Sequence, residues 1–80
     1  MTDADIWMLL TEIMSDLMGT QELVLTAATT ADDVEGWDSF SHLNLIAAIE
    51  ARFGIHTQTK DIEKLRNVGD LVALIKRHVA

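Results

Sequence analysis

Eighty residues, 49% of them apolar and 24% charged, make one small domain spanning 1–80 and are too apolar for a disordered chain. The absence of cysteine rules out disulfides, thiolate metal sites and a cysteine nucleophile, and suits a cytoplasmic protein. The net charge of −7 is uneven: residues 1–39 hold nine acidic residues and no Lys or Arg, and residues 40–80 hold four acidic residues and all six basic ones, which disfavours nucleic acid and favours partners with basic surfaces.

Thr2-Asp3-Ala4-Asp5 is a capping-box pattern, and Ile6, Leu9, Leu10, Ile13 and Leu17 follow at helical spacing. With Gly19 as a stop, the first helix is expected over 3–18. Trp7, Met8, Met14 and Met18 are read as further packing surface on it. Asp3 and Asp5 stand where a secretory leader would be basic, and no apolar run reaches membrane-spanning length, so neither leader nor span is expected.

Residues 19–37 read as one long loop, Thr- and Ala-rich over 26–31 and then acidic at Asp32, Asp33 and Glu35. Leu23, Val24, Leu25 and Val34 are expected to tuck against the helices. Asp38 is the N-cap of a second helix that carries Phe40, Leu43, Leu45, Ile46, Ala47, Ile49 and Phe53 and stops at Gly54. Its apolar residues fill more than one stripe, so it is expected to be the most buried helix. A short helix at about 60–65 offers Ile62 and Leu65. Asn67-Val68-Gly69-Asp70 opens a last helix with Val68, Leu71, Val72, Ile75 and Val79 on one face and Lys76, Arg77 and His78 in its final turn. The fold class is therefore all-α: a small four-helix bundle of three main helices plus a short third one.

Ser39 follows the capping Asp38 and so sits in the first turn of the second helix. Backbone N–H groups lack helical partners there and the helix dipole is positive, which favours a phosphate. A serine in that position is suited to carry a phosphate-linked group.

At this point the chain resembles the acyl carrier protein family, over nearly its whole length. The motif stands as Asp38-Ser39-Phe40, with Leu43-Asn44-Leu45 and Glu50-Ala51-Arg52-Phe53 further along the same helix, and Asp61-Ile62-Glu63-Lys64-Leu65 followed by Asn67-Val68 resembles the family's third helix and the start of the fourth. The resemblance implies that Ser39 carries 4′-phosphopantetheine, taken from coenzyme A by a phosphopantetheinyl transferase with Mg²⁺. The arm would hold acyl-type groups as thioesters for lipid, fatty-acid, polyketide or related specialised biosynthesis. Acyl-loading and acyl-processing enzymes with basic docking surfaces would be the partners, and the carrier would be a monomer and not an enzyme. The resemblance further implies that Asp38 fixes the helix start and helps the transferase's metal site, and that Gly36 allows the loop its tight approach. It also implies a cleft for the acyl chain lined by Phe40, Leu43, Ile46, Ile62 and Leu65.

The departures from the family are informative. Acids that members of primary fatty-acid synthesis carry along the second helix are replaced by Ser41, His42, Asn44, Ala51 and Arg52, with Glu50 retained. The acidic cluster lies before Ser39 instead, which implies a specialised, stand-alone carrier docking through Asp32, Asp33, Glu35, Trp37 and Glu50. Trp37 is read as an anchor of the loop as well.

Other chemistry has weaker support. Ser39, His42 and Asp38 suggest a hydrolase, but no nucleophile elbow is present and a triad draws its members from different elements, so His42 is read as a surface residue. Asp32-Asp33-x-Glu35 lacks the alternating ligands of a calcium loop, so no metal site is expected. Two alternatives stay open: an unmodified helical interaction module, and an aminoacyl or peptidyl carrier.

Overall fold

Thr2 starts the first helix as the sequence predicts. Its Oγ1 accepts the Asp5 backbone N–H at 3.2 Å, while Asp5 Oδ2 accepts the Thr2 backbone N–H at 3.0 Å. In this computed structural model, which describes residues 2–19, 23–34 and 36–79 and gives Ser39 by its place in the helix alone, α1 runs over Asp3–Met18. A 3₁₀ turn follows at Ala31–Asp33, then α2 (Ser39–Phe53), α3 (Thr59–Ile62) and α4 (Val68–Val79). Gly19 and Gly54 end α1 and α2 in the left-handed region, at φ 70° and 68°, where only glycine enters without steric cost. The all-helical four-helix architecture is as expected. No described helix is long and apolar enough to cross a membrane.

The apolar stripe of α1 (Ile6, Leu10, Ile13, Met14) packs against Leu45, Ile46 and Ile49 of α2 and against Val68, Leu71, Val72 and Ile75 of α4. Removing these side chains from water is the main stabilising contribution, about 1.5–3 kcal/mol for each fully buried one. α2 is not the most buried helix. Among its described residues it buries the Leu45–Ile46–Ile49 stripe and leaves Phe40 75% and Leu43 65% exposed. α4 buries Leu74 in addition to the face expected of it. Met14 lies in the core and Trp7 and Met18 pack on its edge, whereas Met8 is exposed.

The connection between α1 and α2 is tied down by backbone. Thr29 Oγ1 accepts the Thr26 N–H at 2.9 Å, and the Ala27 and Thr29 carbonyls accept the N–H groups of Gly69 and Val68 at 2.9 and 2.8 Å. The strap thus uses the first donors of α4, groups that a helix leaves without internal partners. Val34 is buried and Leu23 and Leu25 pack on the core, but Val24 is 80% exposed, contrary to expectation. The 3₁₀ turn was not expected. Asp33 Oδ2 makes it by accepting the Thr30 N–H at 3.0 Å. α3 ends at Ile62, shorter than predicted, and a turn carries the chain on to Leu65.

Candidate functional site

The start of α2 is built by three local contacts. Asp38 Oδ1 accepts the Ser41 N–H at 2.8 Å, so Asp38 is the N-cap and Ser39 the first helical residue. That bond holds the Asp38 carboxyl below its ordinary range. Ser41 Oγ donates to the Gly36 carbonyl at 2.7 Å and pins the preceding turn. Gly36 has φ +87°, a conformation that side chains rarely adopt, and it is what lets the turn close beside Met18.

The third contact joins Trp37 to His42. Trp37 Nε1–H donates to His42 Nδ1 at 3.2 Å, and the two rings stack with centroids 5.9 Å apart and planes 27° apart. Trp37 is buried and does anchor the loop, as expected. It is not placed as an exposed docking residue. His42 is not a plain surface histidine either: it is half-buried, and burial pushes its imidazole below the ordinary histidine range.

Beside this helix start lies an open groove of about 730 Å³ between α2, α3 and the start of α4. Leu43, Ile62 and Leu65 line it together with Trp37 and Leu71. Ile46 faces the core instead, and Phe40 projects from α2 outside the lining. Polar residues at the groove are Asp32, Asp38, His42, Thr59, Glu63, Arg66 and Asn67. Arg66 and Asn67 were missed by the sequence reading, because only the fold brings the α3–α4 link against α2.

The acids expected to form a docking cluster sit in different local settings. Asp32 is exposed and lines the groove. Asp33 is occupied in capping the 3₁₀ turn. Glu35 lies outside the described residues. Glu50 Oε2 accepts the Thr57 N–H at 2.7 Å and the Thr57 Oγ1–H at 3.1 Å, which fastens the α2–α3 connection and holds the carboxyl below its ordinary range. Among the described residues, no group of three or more His, Asp or Glu is placed to hold a metal ion.

The helix start suits a phosphodiester. Its first residue is a serine at the positive end of a 15-residue helix, next to a cap whose carboxylate is already engaged, and an apolar groove opens alongside. Among the described residues, no convergent acid–base pair of the kind an enzyme needs is assembled there.

Comparison with known proteins agrees with this geometry. The family described as "Phosphopantetheine attachment site" matches residues 9–75. The acyl carrier protein of Thermotoga maritima is 32% identical over 65 residues, covering 81% of this chain and 80% of that protein. Among solved structures, the holo acyl carrier protein of Geobacter metallireducens superposes with a TM-score of 0.84 at 38% identity, covering 89% of this chain and 82% of that one. The crystal structure of a Thermotoga maritima acyl carrier protein gives 0.82 at 26% identity, covering 96% and 89%. The chain therefore belongs to the acyl carrier protein family, non-enzymatic proteins whose cargo rides on a covalently attached 4′-phosphopantetheine.

Proposed function

We propose that Ser39 is the attachment residue and that the protein presents acyl-type groups to cytoplasmic enzymes of lipid, polyketide or related specialised biosynthesis. The observation that carries this is the position of Ser39 as the first residue of α2, directly after Asp38 and beside the groove. When attached, the 4′-phosphopantetheine arm supplies the thiol on which cargo is held as a thioester. The protein supplies position. Asp38 and Ser41 set the helix start, and the α2 dipole stabilises the phosphodiester. Leu43, Ile62 and Leu65 form the apolar wall along which a short acyl chain is sheltered.

Partner docking is proposed to differ from that of carriers with a charged second helix. The exposed face of α2 presents Phe40, Leu43, Asn44 and Ala47, none of them ionised, and the exposed acids on the groove wall are Asp32, Glu63 and the capping Asp38. An enzyme meeting this surface relies on apolar contact, with a basic group placed for Asp32.

The test is peptide mapping after incubation with coenzyme A, Mg²⁺ and a promiscuous phosphopantetheinyl transferase. Modification confined to Ser39 supports the assignment. Modification at Ser41, or none on folded protein, overturns it.

A further inference from the structure

Trp37 and His42 stand at the two positions that bracket the start of α2, one residue before the cap and four after it. Side chains there commonly pack together and fix the angle at which the chain enters a helix, usually as an apolar pair. Here the pair is also hydrogen bonded, Trp37 Nε1–H to His42 Nδ1 at 3.2 Å. An indole N–H can only donate, so the bond requires a lone pair on Nδ1 and hence the neutral imidazole with its proton on Nε2. A second proton, taken up at Nδ1, converts that acceptor to a donor and abolishes the bond.

We propose that His42 is a positioning residue for loading of the carrier: neutral His42 holds Trp37, and through it the Gly36–Asp38 turn that presents Ser39 to the transferase, and protonation of Nδ1 releases that turn. This rests on the assignment of Ser39 as the attachment residue. The Gly36–Asp38 turn has four further ties, Ser41 Oγ–H to the Gly36 carbonyl, the Ser41 N–H to Asp38 Oδ1, the His42 N–H to the Asp38 carbonyl at 2.9 Å and the Trp37 N–H to the Val34 carbonyl at 3.2 Å, so release of His42 loosens the turn without unfolding the bundle. The charged groups around the shared groove are Asp32 from the 3₁₀ turn, Asp38 at the α2 cap, Glu63 after α3 and Arg66 before α4. Burial of the imidazole disfavours its charged form. This keeps the latch closed at neutral pH and places its opening on the acid side of an ordinary histidine.

Two readouts on the purified carrier test this. The first is the Trp37 indole N–H signal in ¹⁵N-resolved NMR, identified by its loss in Trp37→Phe and followed from about pH 7.5 to about pH 5, the range in which histidines titrate. The expected result is a one-proton titration of this signal that disappears in His42→Asn, whose carboxamide oxygen can accept at the Nδ1 position without titrating. The second is transferase kinetics with coenzyme A. His42→Leu is expected to raise KM for the carrier several-fold with little change in kcat, His42→Asn to restore it at neutral pH, and the KM ratio of the parent protein to His42→Asn to rise as pH falls.

An indole signal indifferent to His42, or equal KM profiles for the parent protein, His42→Leu and His42→Asn, overturns the proposal. The two assignments fail separately. Loading of Ser39→Ala would sink the attachment assignment and leave the indole titration intact, and an absent titration would leave Ser39 loading intact.

Discussion

Gly69 and Ala27 meet backbone to backbone: the Gly69 N–H donates to the Ala27 carbonyl at 2.9 Å, and a Cβ on Gly69 would lie 2.9 Å from that same oxygen and 3.0 Å from the Ala27 methyl. A Gly→Ala change inside a helix ordinarily gains about 1 kcal/mol. Here the sign reverses, because the added carbon pushes the strap off α4. Gly69→Ala is expected to lose about 1–3 kcal/mol, the usual range for overpacking. Thermal unfolding checks this, at about 4–8 °C of Tm per kcal/mol for a domain of this size. A raised Tm would show that the strap yields freely.

The two faces of α2 are expected to separate stability from function. Ile49 is fully buried, and Ile49→Ala should cost about 2–5 kcal/mol in urea unfolding. Phe40→Ala and Leu43→Ala remove largely exposed side chains and should stay within about 0.5 kcal/mol. The same two changes should weaken productive encounter with the transferase, seen as a higher KM for the carrier that added salt barely alters. A strong salt dependence would point to docking by charge.

Asp38 is expected to hold the first turn of α2 through the Ser41 N–H. In Asp38→Ala, amide exchange at Ser41 should accelerate while exchange at Ile49 in the middle of the helix stays slow. Asp38→Asn should keep most of the protection, since its side-chain oxygen still caps. Equal acceleration in both variants would mean that the charge, and not the cap, orders the turn.

Acid should weaken the fold in two stages. Folded His42 binds its proton less readily than the ordinary value of 6.5, so the unfolded chain takes up more protons as pH drops below 6.5, and stability falls there. Glu50, held below the ordinary 4.5 mainly by the Thr57 N–H, contributes stability above that value which is lost as pH falls through its own lowered range. Urea midpoints measured against pH should therefore bend twice. His42→Asn should remove the upper bend only, and Thr57→Val should reduce the lower one.

The starts and stops of α1 and α2 were legible in the sequence because they are local, whereas the end of α3 and the 3₁₀ turn were not. Thr2 with Asp5, Asp38 before Ser39, and Gly19 and Gly54 after the last turns act within a few residues of themselves. The burial of α2 was not legible, since its apolar residues fill two stripes and only packing decides which one meets α1. The same holds for Arg66 at the groove and for Gly69 against Ala27, contacts between segments far apart in the chain. His42 is the instructive case. A tryptophan one residue before a cap and a histidine four after it form a local pattern, so their contact was readable from spacing, but its burial and hydrogen bond were not.

The central claim, that Ser39 carries the arm, is tested most directly by intact mass. The parent protein, Ser39→Ala and Ser41→Ala would each be incubated with coenzyme A, Mg²⁺ and a promiscuous transferase. One phosphopantetheinyl group is predicted on the parent protein and on Ser41→Ala, and none on Ser39→Ala. A modified Ser39→Ala protein, or a folded parent protein that stays unmodified, would contradict the account.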